Sequence, residues 1–99
     1  MKKAVWKFPL EATDQQKVMM PAGAVPLHVD LQGGSTWDGG TLCLWAEVDV
    51  DATPVERHVY VMGTGHTFYP AAGERYVGTV QDGILVWHVY IAVTGSGGR

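Results

Sequence analysis

The stretch Gly63-Thr64-Gly65-His66-Thr67 combines the residue types from which a backbone anion site is made. Glycines permit positive φ, and successive N–H groups in such a turn converge on a point where an anionic oxygen can sit. Thr64 and Thr67 add hydroxyls, His66 adds a ring nitrogen able to donate to a phosphate or sugar, and Phe68 and Tyr69 offer faces on which a base can stack. The run lacks the Lys-Ser/Thr ending of a Walker loop and does not follow GxGxxG. Its bland alternative is a tight loop whose glycines only accommodate the turn and whose threonines satisfy its backbone. Trp37 lies in a second glycine-rich loop, between Gly33 and Gly40, where a large aromatic is either a clamp over a ligand or an anchor folded back on the core. The expected ligand-contacting residues are Gly63, Thr64, Gly65, His66, Thr67, Tyr69 and Trp37, and the ligand class is small and phosphorylated or nucleotide-like.

Other chemistries find less to work with. His28, His58, His66 and His88 are separated by 30, 8 and 22 residues, with no HxH or HxxxH pair to hold zinc. His88 shares a strand face with Val86 and Tyr90, which suits a hydrogen-bonded core or interface histidine, while His58 shares one with Glu56 and Tyr60, a solvated surface. Glu47, Asp49, Asp51 and Glu56 concentrate acidity about one turn, but the DxDxDG pattern of a calcium loop is not met. A carboxylate pair acting on sugars needs a deep cleft that 99 residues hardly provide. Cys43, among Leu42, Leu44 and Trp45, has no neighbouring base and reads as structural. No catalytic residue, metal or cofactor is assigned, and the expectation is a protein that is not an enzyme.

The elements that must position these residues are strands. Leu42, Leu44, Ala46 and Val48 alternate with Thr41, Cys43, Trp45, Glu47 and Asp49, and the same period of two runs through residues 3–10, 27–32 and 55–62. Residues 76–80 form a short β-branched run in which Gly78 marks a bulge. Residues 84–93 are apolar on both faces, as in a central strand or one whose second face meets a partner. Thr13 to Lys17 offers at most one helical turn, with Thr13 capping and Gln16 answering, and a strand from Gln16 to Met20 reads better. Gln81-Asp82-Gly83 reads as a tight hairpin turn, and further turns are expected at Pro21 to Gly23, Asp51 to Pro54 and Ala71 to Gly73. Six or seven short strands without a credible helix predict an all-β fold, an antiparallel sandwich or small open barrel, over residues 1–93, with a flexible tail at 94–99.

Composition narrows the partners. One domain is all that 99 residues support, and 46% hydrophobic against 17% charged residues is too apolar for a disordered chain. A formal charge of −3 leaves no basic excess for non-specific nucleic-acid binding. A single cysteine fits a reducing compartment, the opening Met1-Lys2-Lys3 leads into no signal-peptide pattern, and no window reaches the roughly 20 apolar residues of a membrane helix. A cytoplasmic, non-membrane protein is expected. Trp45 on an outward face and Leu85, Trp87, Val89 and Ile91 on a second apolar face, with few residues left to cover them, point to a homo-oligomer.

Trp6-Lys7-Phe8-Pro9-Leu10 with Thr13-Asp14, Met20-Pro21-Ala22-Gly23-Ala24, Leu44-Trp45-Ala46 with Val48-Asp49, Gly63-Thr64-Gly65-His66 and Tyr76-Val77-Gly78-Thr79 occur in that order. As a chain of short blocks over about residues 4 to 90, the sequence resembles a family of small proteins encoded largely by bacteriophages and prophages. The resemblance implies an accessory phage gene and brings no activity, ligand or catalytic residue with it. Two functions from different classes follow: a non-enzymatic module that binds the ligand described above, in a phage setting by sequestering a host defence signal, or a protein that docks through an apolar sheet face with no small ligand.

Overall fold

Alternation along each strand becomes two packed layers in the computed structural model, which describes residues 1–69 and 73–92. Seven strands, β1 (Lys3–Leu10), β2 (Gln15–Pro21), β3 (Val25–Gln32), β4 (Thr41–Asp49), β5 (Pro54–Gly63), β6 (Glu74–Asp82) and β7 (Leu85–Ala92), form antiparallel sheets of order β1-β4-β3 and β2-β5-β7-β6. The fold is all-β, a sandwich not closed into a barrel. The one helical element among the described residues is a single 3-10 turn, Thr36–Asp38, between β3 and β4. Gln15 and Gln16 open β2 instead of a helix. The Gln16 carboxamide closes the link from β1 by accepting from the Glu11 N–H and donating to the Glu11 carbonyl.

The core lies where the alternating apolar sets meet. Leu42, Leu44, Ala46 and Val48 of β4 are almost fully buried and face Val59 and Val61 of β5 and Val89 and Ile91 of β7 across the sandwich. The second apolar face of the last strand is therefore covered by the chain's own three-stranded sheet. This corrects the expectation that too few residues remain to make a second layer, and removes that ground for an oligomer.

Two bulges adjust the strands where the layers close on each other. In β6 the register shifts between Tyr76 and Gly78, as the glycine predicts. A Cβ at Gly78 would stand 2.8 Å from Val29 Cγ1 of β3, so the glycine admits the opposite sheet. In β3 the register shifts between Pro26 and His28. Pro26 and Val29 turn inward, and Leu27, expected with Val29 and Leu31 on one face, is half exposed instead. The β6–β7 hairpin also differs from expectation, because Asp82 still pairs with Leu85 and the turn is Gly83-Ile84, with Gly83 at φ +62.

One connection sets up the site. β5 and β6 are both antiparallel to β7 and lie on either side of it, so the chain cannot pass between them by a short turn. It leaves Gly63 beside Trp87 and re-enters the sheet at Glu74 beside Ala92, the other end of β7. The described start of this connection, residues 64–69, forms a strap against the outer face of the four-stranded sheet, where Phe68 packs on Tyr60 and Tyr90. Ala71 and Ala72, part of an expected turn, and the expected tail at 94–99 lie outside the described residues.

Candidate functional site

The strap begins with a tight turn. The Gly63 carbonyl accepts from the His66 N–H at 3.0 Å, and Gly65, third in the turn, takes φ +89, a conformation that costs a glycine little and an L side chain much. The His66 ring folds back over Gly63, where a Cβ would meet Cε1 at 3.3 Å. One of the backbone donors expected to converge on an anion thus closes the turn itself. The donors left to a ligand include the Thr64 hydroxyl and the exposed His66 ring.

Two shallow depressions flank this turn. One, of about 280 Å³, is walled by Met62, Gly63, Thr64, Gly65, His66, Phe68, His88 and Tyr90. The other, of about 260 Å³, is walled by Gly63, Thr64, His66 and the start of β7 from Ile84 to Trp87. Gly63, Thr64 and His66 belong to both.

Beneath the strap, four side chains from three segments join in one hydrogen-bonded chain. His88 Nε2 lies 2.6 Å from Thr64 Oγ1, and its Nδ1 lies 3.1 Å from Thr79 Oγ1 on β6. Thr79 Oγ1 in turn lies 2.5 Å from the Tyr76 hydroxyl. Beside the chain runs an aromatic row: Phe68 of the strap packs on Tyr60 at 5.6 Å and on Tyr90 at 5.4 Å between ring centroids, and Tyr90 meets Tyr76 edge-on at 5.5 Å. Tyr60, under Phe68, and Met62 are buried on this outer sheet face.

The structure gathers Gly63, Thr64, Gly65 and His66 at one place. Thr67 follows in the exposed strap and walls neither depression, and Tyr69 is 97% exposed. Trp37 sits at the same end of the sandwich but lies against the hairpin, where a Cβ on Gly83 would be 3.6 Å from its ring. At 69% exposure it is not an anchor in the core. Its loop is held by its neighbour: the Thr36 N–H and hydroxyl donate to Asp82 at 2.9 and 2.5 Å, and Trp87 Nε1 donates to the same carboxylate at 3.0 Å. The Thr36 hydroxyl, helped by Trp87 and the Thr36 amide, holds the fully buried Asp82 carboxyl below its ordinary range, against the upward push of burial.

Sequence reading missed these buried polar anchors. Arg57, taken as one member of an alternating strand, is buried at the opposite end of the core. Its guanidinium donates to the Ala92 carbonyl through Nε and Nη2 and to the Ala24 carbonyl through Nη1, and burial pushes its pKa down. An inward position for Arg57 was legible in the alternation with Val59 and Val61, but its carbonyl partners were not. Among the described residues no group of three or more His, Cys, Asp or Glu side chains is placed to hold a metal ion. Glu47 is engaged with Lys3 at 3.2 Å, and the Asp49 carboxylate accepts from the Asp51 N–H. No helix among those residues is long and apolar enough to cross a membrane.

Fold and site together define a small β-sandwich with an open, mixed polar and aromatic surface site beside a strapped sheet. Over residues 1–96 the chain matches, and belongs to, the family described as Domain of unknown function (DUF7352). No curated protein and no solved structure matches it.

Proposed function

We propose that the protein is a binding module, not an enzyme, that takes a small anionic, nucleotide-like ligand at the Gly63–His66 turn. One observation carries this reading: the turn is the shared wall of two adjoining depressions that together present Thr64, His66 and His88 as polar groups and Phe68 and Tyr90 as aromatic faces. Each depression alone falls just below the roughly 300–1,000 Å³ typical of ligand pockets, so an elongated ligand lying across the turn fits better than a compact one. The resemblance to phage-encoded accessory proteins suggests a host signalling nucleotide, held out of reach of its receptor in the cytoplasm.

Calorimetric titration with cyclic dinucleotides, ADP-ribose derivatives and mononucleotides tests the reading. His66→Ala removes one donor and is expected to weaken the binder tenfold to a hundredfold, the equivalent of about 1.5–3 kcal/mol for a charge-assisted bond. A panel without a binder, or a binder indifferent to His66→Ala, overturns it.

A second reading, contact with another copy of the chain, draws on the outer face of the three-stranded sheet. There the half-buried Trp45 lies between Lys7 and His28, with exposed Val5 and Val25 on either side of the next outward position of β4, Lys3 and Lys7 toward one edge and Asp30 toward the other. A two-fold axis along β4 would set the basic edge of one copy over the acidic edge of its partner. Sedimentation equilibrium decides the matter: the parent is expected to dimerise at tens of micromolar and Trp45→Glu to remain a folded monomer, whereas a monomeric parent ends this reading.

A further inference from the structure

The chain Tyr76–Thr79–His88–Thr64 has two ends, and its hydrogens can run in either direction. In the neutral imidazole one nitrogen carries a hydrogen and the other accepts, while each hydroxyl can donate one hydrogen and accept others. In the first arrangement the Thr64 hydroxyl donates to His88 Nε2, Nδ1–H donates to Thr79, the Thr79 hydroxyl donates to Tyr76, and the Tyr76 hydrogen points to solvent. In the second, Tyr76 donates to Thr79, Thr79 donates to His88 Nδ1, Nε2–H donates to Thr64, and the Thr64 hydrogen is released toward the depression beside Gly65 and His66. Both use the same atoms at the same separations of 2.5, 3.1 and 2.6 Å, and both contain the same number of hydrogens.

We propose that His88 is the positioning residue of this site: by exchanging its tautomer it sets the direction of the Thr64 hydroxyl, and the second arrangement makes the turn a donor-lined seat for a phosphoryl oxygen. This rests on the binding reading above and names what that reading leaves open, the ligand group met at Thr64. The chemistry follows from the ligand side. A phosphoryl oxygen accepts hydrogen bonds and, when ionised, has none to give, so it pairs with a Thr64 that donates outward and is disfavoured by one whose hydrogen is turned back to His88. Thr79 enters because it is the member of this hydrogen-bonded chain that contacts Nδ1, so it holds the ring in either arrangement without touching the ligand. Tyr76, 53% exposed on an edge strand, is the far terminus at which the reversal reaches solvent.

The test is titration of the ¹⁵N-labelled protein with inorganic phosphate at constant pH. Backbone amide signals of residues 63–66 report occupancy, and the long-range imidazole ¹⁵N signals of His88 report which nitrogen carries the hydrogen. Occupancy is expected to move His88 toward the Nε2–H tautomer. Thr79→Val is expected to weaken phosphate three- to tenfold and abolish the imidazole response, with Thr79→Ser restoring both. Amide shifts at 63–66 with an unchanged His88 tautomer overturn the positioning role and leave the binding reading standing, and the absence of any amide shift removes both. The unmodified protein carries this test by itself, so it survives a Thr79→Val chain that fails to fold.

Discussion

Asp82 shows how much one buried carboxylate can organise. It is 0% exposed and gathers donors from the β3–β4 loop and from β7, so the loop bearing Trp37 is tied to the hairpin through a buried carboxylate as well as through the Trp37 ring lying against Gly83. Because the folded state holds this carboxyl below its ordinary value, its contribution to stability is complete above pH about 4, the unfolded value, and is lost as pH falls through the lower folded value. Thermal unfolding followed between pH 2 and 5 is expected to show that loss in the parent and a shallower acid dependence in Asp82→Asn. The sequence offered Asp82 as a turn residue beside glycine, since the Asp-Gly pair is a strong hairpin signal. Nothing in the spacing tells that Thr36, 46 residues away, would meet it. Gly63 to His66 were legible for the opposite reason: a turn is made by neighbours in the chain, and its residue types are its mechanism. Thr79 and Tyr76, remote from that turn in sequence, left no such sign.

At the scale of the element, the two bulges and Gly78 fix how closely the sheets approach at one side of the sandwich. The β-branched Val29 is 3% exposed and has little rotamer freedom with which to yield. Gly78→Ala is expected to cost about 1–3 kcal/mol by overpacking, and Val29→Ala in the same chain to recover part of that loss. Chemical denaturation of the two single variants and the double variant measures the coupling, and strict additivity would show that the layers do not meet there. Period-two alternation identified the strands and, in β1, β4 and β5, the inward faces. It misplaced Leu27 because one extra residue reverses every side chain beyond it, and a bulge leaves no mark in the alternation unless a glycine stands at it. The strap was illegible for a further reason: alternation says which residues face inward but not which strand lies beside which.

For the whole molecule, edges and faces follow different rules. β1 carries Lys3, Lys7 and Pro9, β2 carries Lys17 and Pro21, β3 has Pro26 beside its bulge, and β6 has a bulge of its own, so each outer strand bears a feature that discourages pairing with another chain. Association, where it occurs, is left to the faces. The four-stranded sheet depends on β7, which separates β5 from β6 and supplies Val89 and Ile91 to the core beside Val59, Val61 and Val80. Residues 1–84 alone are expected to lack a cooperative thermal transition, as monitored by near-ultraviolet circular dichroism, and a cooperative transition in that fragment would show the three-stranded sheet to be self-sufficient.

The placement of β7 has a consequence for how the protein is made. Its eight residues are the last of the seven strands to be synthesised, yet they belong in the middle of a sheet, between β5 and β6. Before β7 is made, β5 and β6 have no strand between them, and Phe68 of the strap has Tyr60 but not Tyr90 to pack on. Until β7 docks, β5, the strand with the longest buried run, has no partner on that edge, so the four-stranded sheet can close only once its last strand has been made.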